Sequence, residues 1–487
     1  MTTRFVQWSL VLVAALWVAL SFTYPFGWDQ GLFAWVGGAI VHGGMPYVDA
    51  WDFKGPLVYY VYALAEALFG VHLWGIRILD AAFLLVATLS VRRVAAVLTD
   101  AASARWAALL YFLWYASQSF WHTAQPDGWT GMLLITGLAP VISRVPPVSA
   151  ARMALAGVAL GAVTLFKPVY GLFLLLPLAY IEGTRWSSRV IAMAPVIAGW
   201  LLPIALMTAW FAVRGALDEL IAVHLQYSAF YVRLGPGARL DGLVEYFLSG
   251  TVMTFALPAV IYGSVILWKR SRRVAIVLVT WVALSVFCAV LQNRFFAYHW
   301  LPIVPAATLL ATVGLHDLLR RMKPLAYVMG GAIFLRSLAP IGLEEVRYVS
   351  WMVGRIDREA YYDAYGEPGD DMKTVWWLKE RAQPGSVFVF GFHSGVGWLS
   401  GRQTVSRFGY SLPLMLGDGA LEFRYRAELL ESLRATPPRY IVVAPQSEEI
   451  IGRVRTVDDF PELATLIAHD YRAVEHFGGI TIYEAAR

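Results

Sequence analysis

Long apolar runs alternate with short polar breaks over the first two-thirds of the chain. At about twenty residues per bilayer crossing, the runs predict helices at 6–25, 73–91, 105–121, 127–143, 151–166, 168–182, 190–212, 247–268, 274–291, 300–315 and 325–341. That makes about eleven spans. A left-over apolar run at 57–70 follows Gly55-Pro56 and is too short to span comfortably. It is expected to lie along the outer interface as a juxtamembrane helix. Beyond about residue 342 the pattern becomes that of a soluble domain, with helices predicted at 371–381 and 461–469 and buried strands at 386–391, 439–444 and 479–484. Alternating helices and short apolar strands indicate a small α/β domain. The expected fold is therefore a polytopic α-helical membrane domain over 1–341, with an outer loop at 26–72, followed by a soluble C-terminal α/β domain over 342–487.

The basic residues fix the expected orientation. With the N-terminus cytoplasmic, Arg92/Arg93/Arg105, Arg144/Arg152, Arg185/Arg189, Lys269/Arg270/Arg272/Arg273 and Arg320/Arg321/Lys323 all fall on inner loops, as the positive-inside rule requires. Counting 57–70 as a full span would put those clusters outside. The eleven-span reading places the opening loop and the C-terminal domain together on the outer face of a bacterial inner membrane. The first apolar run has no cleavage-type ending and reads as a retained helix.

Composition adds little that contradicts this. The 487 residues are 58% hydrophobic with mean hydropathy +0.57, which excludes an ordinary soluble protein. The net charge of +5 is a topology signal and not a nucleic-acid footprint. Cys288, the single cysteine, excludes an intramolecular disulfide and a cysteine-based metal cluster.

Chemistry concentrates in the stretch 28–56, directly after the first span. It holds Asp29, Asp49, Asp52 and Lys54, and Gly43, Gly44, Pro46, Gly55 and Pro56 interrupt helix formation. A polar loop between membrane helices must sit in water or line a cavity, and ionisable groups there are functional candidates. Gly27-Trp28-Asp29-Gln30-Gly31, then Gly44-Met45-Pro46-Tyr47-Val48-Asp49, then Asp52-Phe53-Lys54-Gly55-Pro56-Leu57 resemble the first outer loop of GT-C glycosyltransferases. The nearest likeness is to the bacterial branch of family 39, related to protein O-mannosyltransferases and the aminoarabinose transferases of lipid A. Trp398-Leu399-Ser400-Gly401-Arg402 similarly resembles a turn of that family's C-terminal domain. Gly55 stands where many relatives have proline, and Phe53 where some have an acid.

The resemblance implies an inverting transferase that moves a sugar from a polyprenyl-phosphate donor to a lipid, glycan or protein acceptor. Such a reaction needs a carboxylate base and cations for the departing phosphate. Asp29 matches the early acid and is the expected base. Asp49 and Asp52, three apart and able to share a face in a helical turn, are candidates to orient the acceptor, hold a divalent cation or pair with Lys54. Lys54 is the leading phosphate ligand. Arg294 and His299 match the late polar loop of the family, and Lys167 is a further candidate for the donor phosphate. His224 and Arg233 lie in the longer polar loop without a motif behind them. Glu66, Arg77, Asp80, His316, Asp317 and His393 read as structural, with Arg77 and Asp80 spaced to pair with each other and His393 without acid patterning. The competing classes are a transporter or flippase of lipid-linked sugars, a surface-glycan polymerase or ligase, and a non-catalytic scaffold. Against these stand the absence of pseudo-symmetric halves, the lack of a large loop between late helices, and the acids crowded into one outer loop.

Overall fold

The computed structural model describes residues 2–143, 148–180, 186–233, 240–415, 419–445 and 456–486. It divides into two compact units, one made of Met1–Ser21, Lys54–Val58 and Arg77–Val346, the other of Phe22–Phe53, Tyr59–Ile76 and Arg347–Arg487.

The first unit is a bundle of apolar helices and marks a multi-pass membrane protein. Among the described residues six helices are long and apolar enough to cross a bilayer: Leu73–Leu98, Ile191–Val213, Val252–Arg270, Arg272–Leu291, Ala297–Arg321 and Lys323–Met352. Each coincides with an expected span. The run at 6–25 forms the helix Thr2–Ser21, and those at 105–121, 127–143 and 151–166 form the shorter helices Ala101–Ala116, Pro126–Ile142 and Ala150–Phe166. The run at 168–182 is not an α-helix; Pro168–Tyr180 winds as a 3₁₀ helix with Pro177 inside it. At about 2.0 Å rise per residue the tighter winding covers more depth per residue than an α-helix. Small residues let neighbouring helices touch: a Cβ on Gly157 would lie 2.1 Å from the Val196 carbonyl, and one on Gly161 2.4 Å from that of Trp200. Close backbone approach of this kind is how helices associate in lipid, where no hydrophobic drive separates them from the tails.

One end of this bundle is held by ion pairs. Asp317 accepts from Arg270 and Arg321, each at 2.7 Å, and from the Tyr262 hydroxyl at 2.8 Å. His316 Nδ1 lies 2.9 Å from the Ser103 hydroxyl. Both residues tie helix ends together, as their sequence position suggested. Arg77 and Asp80 reach further partners than each other. Arg77 donates to the Thr123 hydroxyl and the Phe120 carbonyl, while Asp80 accepts from Tyr115 and the Trp129 indole.

The second unit contains a four-stranded sheet in the order β1-β2-β4-β3, with β1 Val387–Phe390, β2 Tyr440–Val443, β3 Tyr471–Phe477 and β4 Ile480–Ala485. β1 runs parallel to β2 and the other pairings are antiparallel. Three strands fall where the apolar runs predicted them. β3 escaped prediction because it is an edge strand whose side chains are mostly solvated, Tyr-Arg-Ala-Val-Glu-His-Phe, so it lacks the apolar alternation that marks a strand. Arg402, in the Trp398–Arg402 turn, donates to the carbonyls of Leu378, Ala382, Gln383 and Gly385. It thereby satisfies the open C-terminal end of the helix Glu367–Glu380.

The opening loop contributes to this same unit and is more ordered than its glycines suggest. Trp28–Val41 is an α-helix, with Gly27 at its N-cap and Asp29 in its first turn. The breakers Gly43, Gly44 and Pro46 lie beyond its end and terminate it. The helix lies on Ser394–Ser400, where a Cβ on Gly31 would fall 2.7 Å from the backbone nitrogen of Gly395, so only glycine permits that crossing. Phe26 stacks on Trp398 at 5.7 Å, and Trp398 donates its indole N–H to Glu66 at 2.7 Å, which gives Glu66 the structural role expected of it. Arg407 binds the Tyr47 carbonyl at 2.9 Å and holds Glu428 through two bonds, at 2.6 and 2.9 Å.

Candidate functional site

Three interruptions of apolar sequence meet in the membrane-spanning unit. The first is Lys54-Gly55-Pro56. Gly55 presses against the end of the helix Ala150–Phe166, where an added Cβ would lie 2.3 Å from the Leu165 carbonyl and 2.4 Å from that of Phe166. Glycine at 55 is thus a packing requirement, and the contact places Lys54 next in chain to a residue that packs against the end of the helix preceding the second interruption, Lys167-Pro168. The third is the loop before Val304–Arg321, which carries Gln292, Arg294 and His299.

Lys167 is buried. Its ammonium donates to Asp127 Oδ1 and to Gln292 Oε1, both at 2.8 Å, and lies 5.5 Å from the centre of the Tyr298 ring. The Tyr170 hydroxyl donates to the same Asp127 oxygen. Asp127 is wholly buried, in the first turn of Pro126–Ile142 behind Pro126 at the N-terminus, where a carboxylate suits the helix dipole. Two donors converge on Oδ1, while Oδ2 is buried without a hydrogen-bond partner. A buried carboxylate oxygen left without a donor is costly, and it makes Asp127 able to accept from a ligand hydroxyl.

His299 is buried among Phe296 and Tyr298. Its Nδ1 donates to the Arg294 carbonyl, since a carbonyl only accepts. A neutral ring so fixed presents Nε2 as an acceptor. The His299 ring centre lies 4.7 Å from that of Tyr298, the ring over which the Lys167 ammonium sits. Arg294 is itself buried, with its guanidinium 4.5 Å from the centre of the Tyr231 ring. The four cationic or imidazole candidates, Lys54, Lys167, Arg294 and His299, therefore belong to one neighbourhood.

The three carboxylate candidates belong to the other unit. Asp29 is half-buried in the first turn of its helix. Asp49 and Asp52 do not share a helical turn: Pro46 and Ala50 bridge across a tight loop, and Tyr47 takes a positive φ of 72°. Asp49 is exposed and its Oδ2 accepts from the Met45 amide at 2.7 Å, closing that loop. Asp52 is buried and accepts from the Phe53 amide at 2.6 Å. Their spacing of three looks helical only if the Met45–Ala50 turn is ignored. Neither arrangement fits a shared cation, and among the described residues no group of three or more His, Cys, Asp or Glu is placed to hold a metal. His224 Nδ1 bonds its own helix at the Leu220 carbonyl, and the Arg233 side chain lies outside the described residues.

Asp127, Tyr170 and Gln292 are the residues that sequence reasoning did not select. Gln125-Pro126-Asp127-Gly128 and Lys167-Pro168 each stand out as polar breaks in apolar sequence, but nothing in their spacing of 40 positions says that they pair. His393 departs from expectation in the second unit. Its Nδ1 lies 2.6 Å from Asp371 Oδ1, a carboxylate 22 residues away and invisible to local patterning.

No protein-family model matches the sequence, and no curated protein matches it. Solved structures do. ArnT from Cupriavidus metallidurans in the apo state superposes with a TM-score of 0.65 at 14% identity, over 99% of this chain and 98% of that one. The same protein bound to undecaprenyl phosphate gives 0.61 over the same shares. The archaeal oligosaccharyltransferase AglB from Archaeoglobus fulgidus, in complex with an inhibitory peptide and a dolichol-phosphate, gives 0.50 at 14% identity over 92% of this chain and 70% of AglB. Similarity at this level of identity is similarity of fold.

Proposed function

We propose, from the premise that this chain has the fold of the GT-C membrane glycosyltransferases, that it is an inverting glycosyltransferase of the outer membrane face. It would move a sugar from a polyprenyl-phosphate donor to a lipid, glycan or protein acceptor. The observation that carries this reading is the set of contacts that links the polar interruptions of the membrane-spanning unit: Gly55, next to Lys54, packs on the last residues of Ala150–Phe166, immediately before Lys167, Lys167 lies 5.5 Å from the centre of the Tyr298 ring, and the neighbouring His299 bonds the Arg294 carbonyl. Charges in lipid are expensive unless used, and a polyprenyl phosphate is an anion whose tail must stay in hydrocarbon. The fold neighbour ArnT binds undecaprenyl phosphate, a ligand of that chemistry.

In this scheme the acceptor oxygen attacks the anomeric carbon, the bond from that carbon to the phosphate oxygen breaks, and the phosphate leaves with the bonding pair. Lys54 and Arg294 stabilise the charge that develops on it. Lys167 directs two of its three N–H donors to Asp127 and Gln292, so it fixes Asp127 while adding its charge to those of Lys54 and Arg294 for the donor phosphate. The unpartnered Asp127 Oδ2 is an acceptor suited to a sugar hydroxyl and not to phosphate. Asp29 takes the acceptor proton, a role that rests on its match to the early acid of the family. The orientation follows the basic clusters, with about eleven spans, the N-terminus inside and residues from about 342 outside.

The test is Asp29→Asn in membranes supplied with undecaprenyl-phosphate sugars. Transfer should fall by orders of magnitude while undecaprenyl phosphate binding is retained. A variant that still transfers, or a wild-type chain that does not bind the lipid phosphate, would overturn the reading.

A further inference from the structure

The second unit carries a cleft of about 450 Å³ that the proposed transfer chemistry does not use. It lies between the helices Gly419–Ala435 and Pro461–Asp470, and its size falls within the roughly 300–1,000 Å³ of small-molecule sites. Phe460 forms its buried floor and Phe423 its rim, the latter 77% exposed. Among the described residues nothing covers this phenyl ring.

The polar lining is pre-arranged. Arg426 donates from Nε to the Leu414 carbonyl at 2.8 Å, pairs with Glu422 at 2.6 Å, and rests 4.6 Å above the Phe460 ring centre. Arg434 stands exposed along the same helix, and Glu462 faces it from the first turn of the other. Among the described lining residues two guanidinium groups and two carboxylates balance in charge, which does not favour a phosphate, an anionic lipid surface or a polyanion. What it offers is an aromatic face beside fixed donors and acceptors of both kinds.

We infer that this cleft binds an uncharged saccharide unit of a glycan acceptor. The C–H face of a pyranose ring packs on an open phenyl ring, and its vicinal hydroxyls both donate to carboxylates and accept from guanidinium groups, bonds stronger than neutral ones. An apolar peptide or acyl chain would take the exposed Arg434 and Glu462 out of water without offering them hydrogen bonds. The inference rests on the glycosyltransferase reading for the source of the sugar, but not on its donor site.

Purified full chain in nanodiscs, without donor, is applied to an array of uncharged gluco-, galacto-, manno- and N-acetylglucosamine trisaccharides. At least one should be bound, and Phe423→Ala and Arg434→Ala should each weaken that binding tenfold or more. Both side chains are exposed, so the melting temperature should not change. Binding of none of the probes, or equal binding by both variants, overturns the inference. So does a Phe423→Ala variant that keeps saccharide binding but loses affinity for phosphatidylethanolamine/phosphatidylglycerol vesicles, which would assign the rim to lipid. Because no donor is present, failure here leaves undecaprenyl phosphate binding and transfer as separate readouts.

Discussion

At the scale of single residues, the membrane unit shows how a charge is made tolerable in a bilayer protein and what is left over for a ligand. Lys167 has its carboxylate and amide partners within 2.8 Å, whereas Asp127 keeps one oxygen without a donor. Removing one member of a buried pair costs roughly 3–5 kcal/mol, while replacing both by apolar groups costs far less. Lys167→Met should therefore lower the melting temperature in detergent more than the double variant Lys167→Met/Asp127→Leu does. Equal losses would mean that the pair is not desolvated. Lys54→Ala should weaken undecaprenyl phosphate binding by about tenfold or more, since a hydrogen bond to a charged group is worth roughly 1.5–3 kcal/mol. Native mass spectrometry with titrated lipid would measure this, and an unchanged affinity would remove Lys54 from the phosphate. Gly55→Ala should produce a similar loss without touching a charge, because its methyl group would meet the Leu165 carbonyl at 2.3 Å and push the lysine away.

At the scale of elements, the helix Trp28–Val41 and the short helix Ser394–Ser400 are the informative pair. They cross at Gly31 and Gly395. The residue that caps the second helix is His393, whose ring lies 6.1 Å from that of Trp28. Burial by itself would lower the pKa of His393. The charge and hydrogen bond of Asp371, with Glu367 and Asp370 on the same helix, outweigh burial and hold it above its ordinary value. A folded-state pKa raised in this way stabilises fully below the unfolded value of about 6.5, and the contribution is lost as pH rises through the folded value. The melting temperature of the wild-type chain should therefore fall as pH rises above about 6.5, and His393→Asn should flatten that part of the profile. A variant with the same pH dependence as wild type would show that the pair does not carry it.

At the scale of the whole molecule, the basic clusters and the apolar runs make one topological statement. In a Cys288→Ser background, cysteines placed at Lys269 and Lys323 should be protected from a membrane-impermeant maleimide in intact cells. Those at Val48 and Lys379, exposed positions, should be labelled. Labelling at Lys269 would invert the positive-inside assignment and with it the outer-face reading of the reaction.

The sequence by itself determined the membrane class, the place of most helices and three of the four strands. These depend on local periodicity and on transfer of apolar side chains out of water, which nearby residues suffice to specify. It also singled out Lys167, a charge conspicuous inside an apolar run without any knowledge of its partner, and, through the resemblance of their polar loops to those of a known family, Lys54, Arg294 and His299. Tertiary structure alone decided the pairings. Asp127 meets Lys167 across 40 positions and His393 meets Asp371 across 22, and no local rule encodes contacts of that range. It also decided that the glycines after Val41 end a helix instead of preventing one, and that Asp49 and Asp52 diverge. The Met45–Ala50 turn, with Tyr47 at positive φ, sends one carboxylate to solvent and the other into the core, a consequence of backbone geometry that their spacing of three conceals.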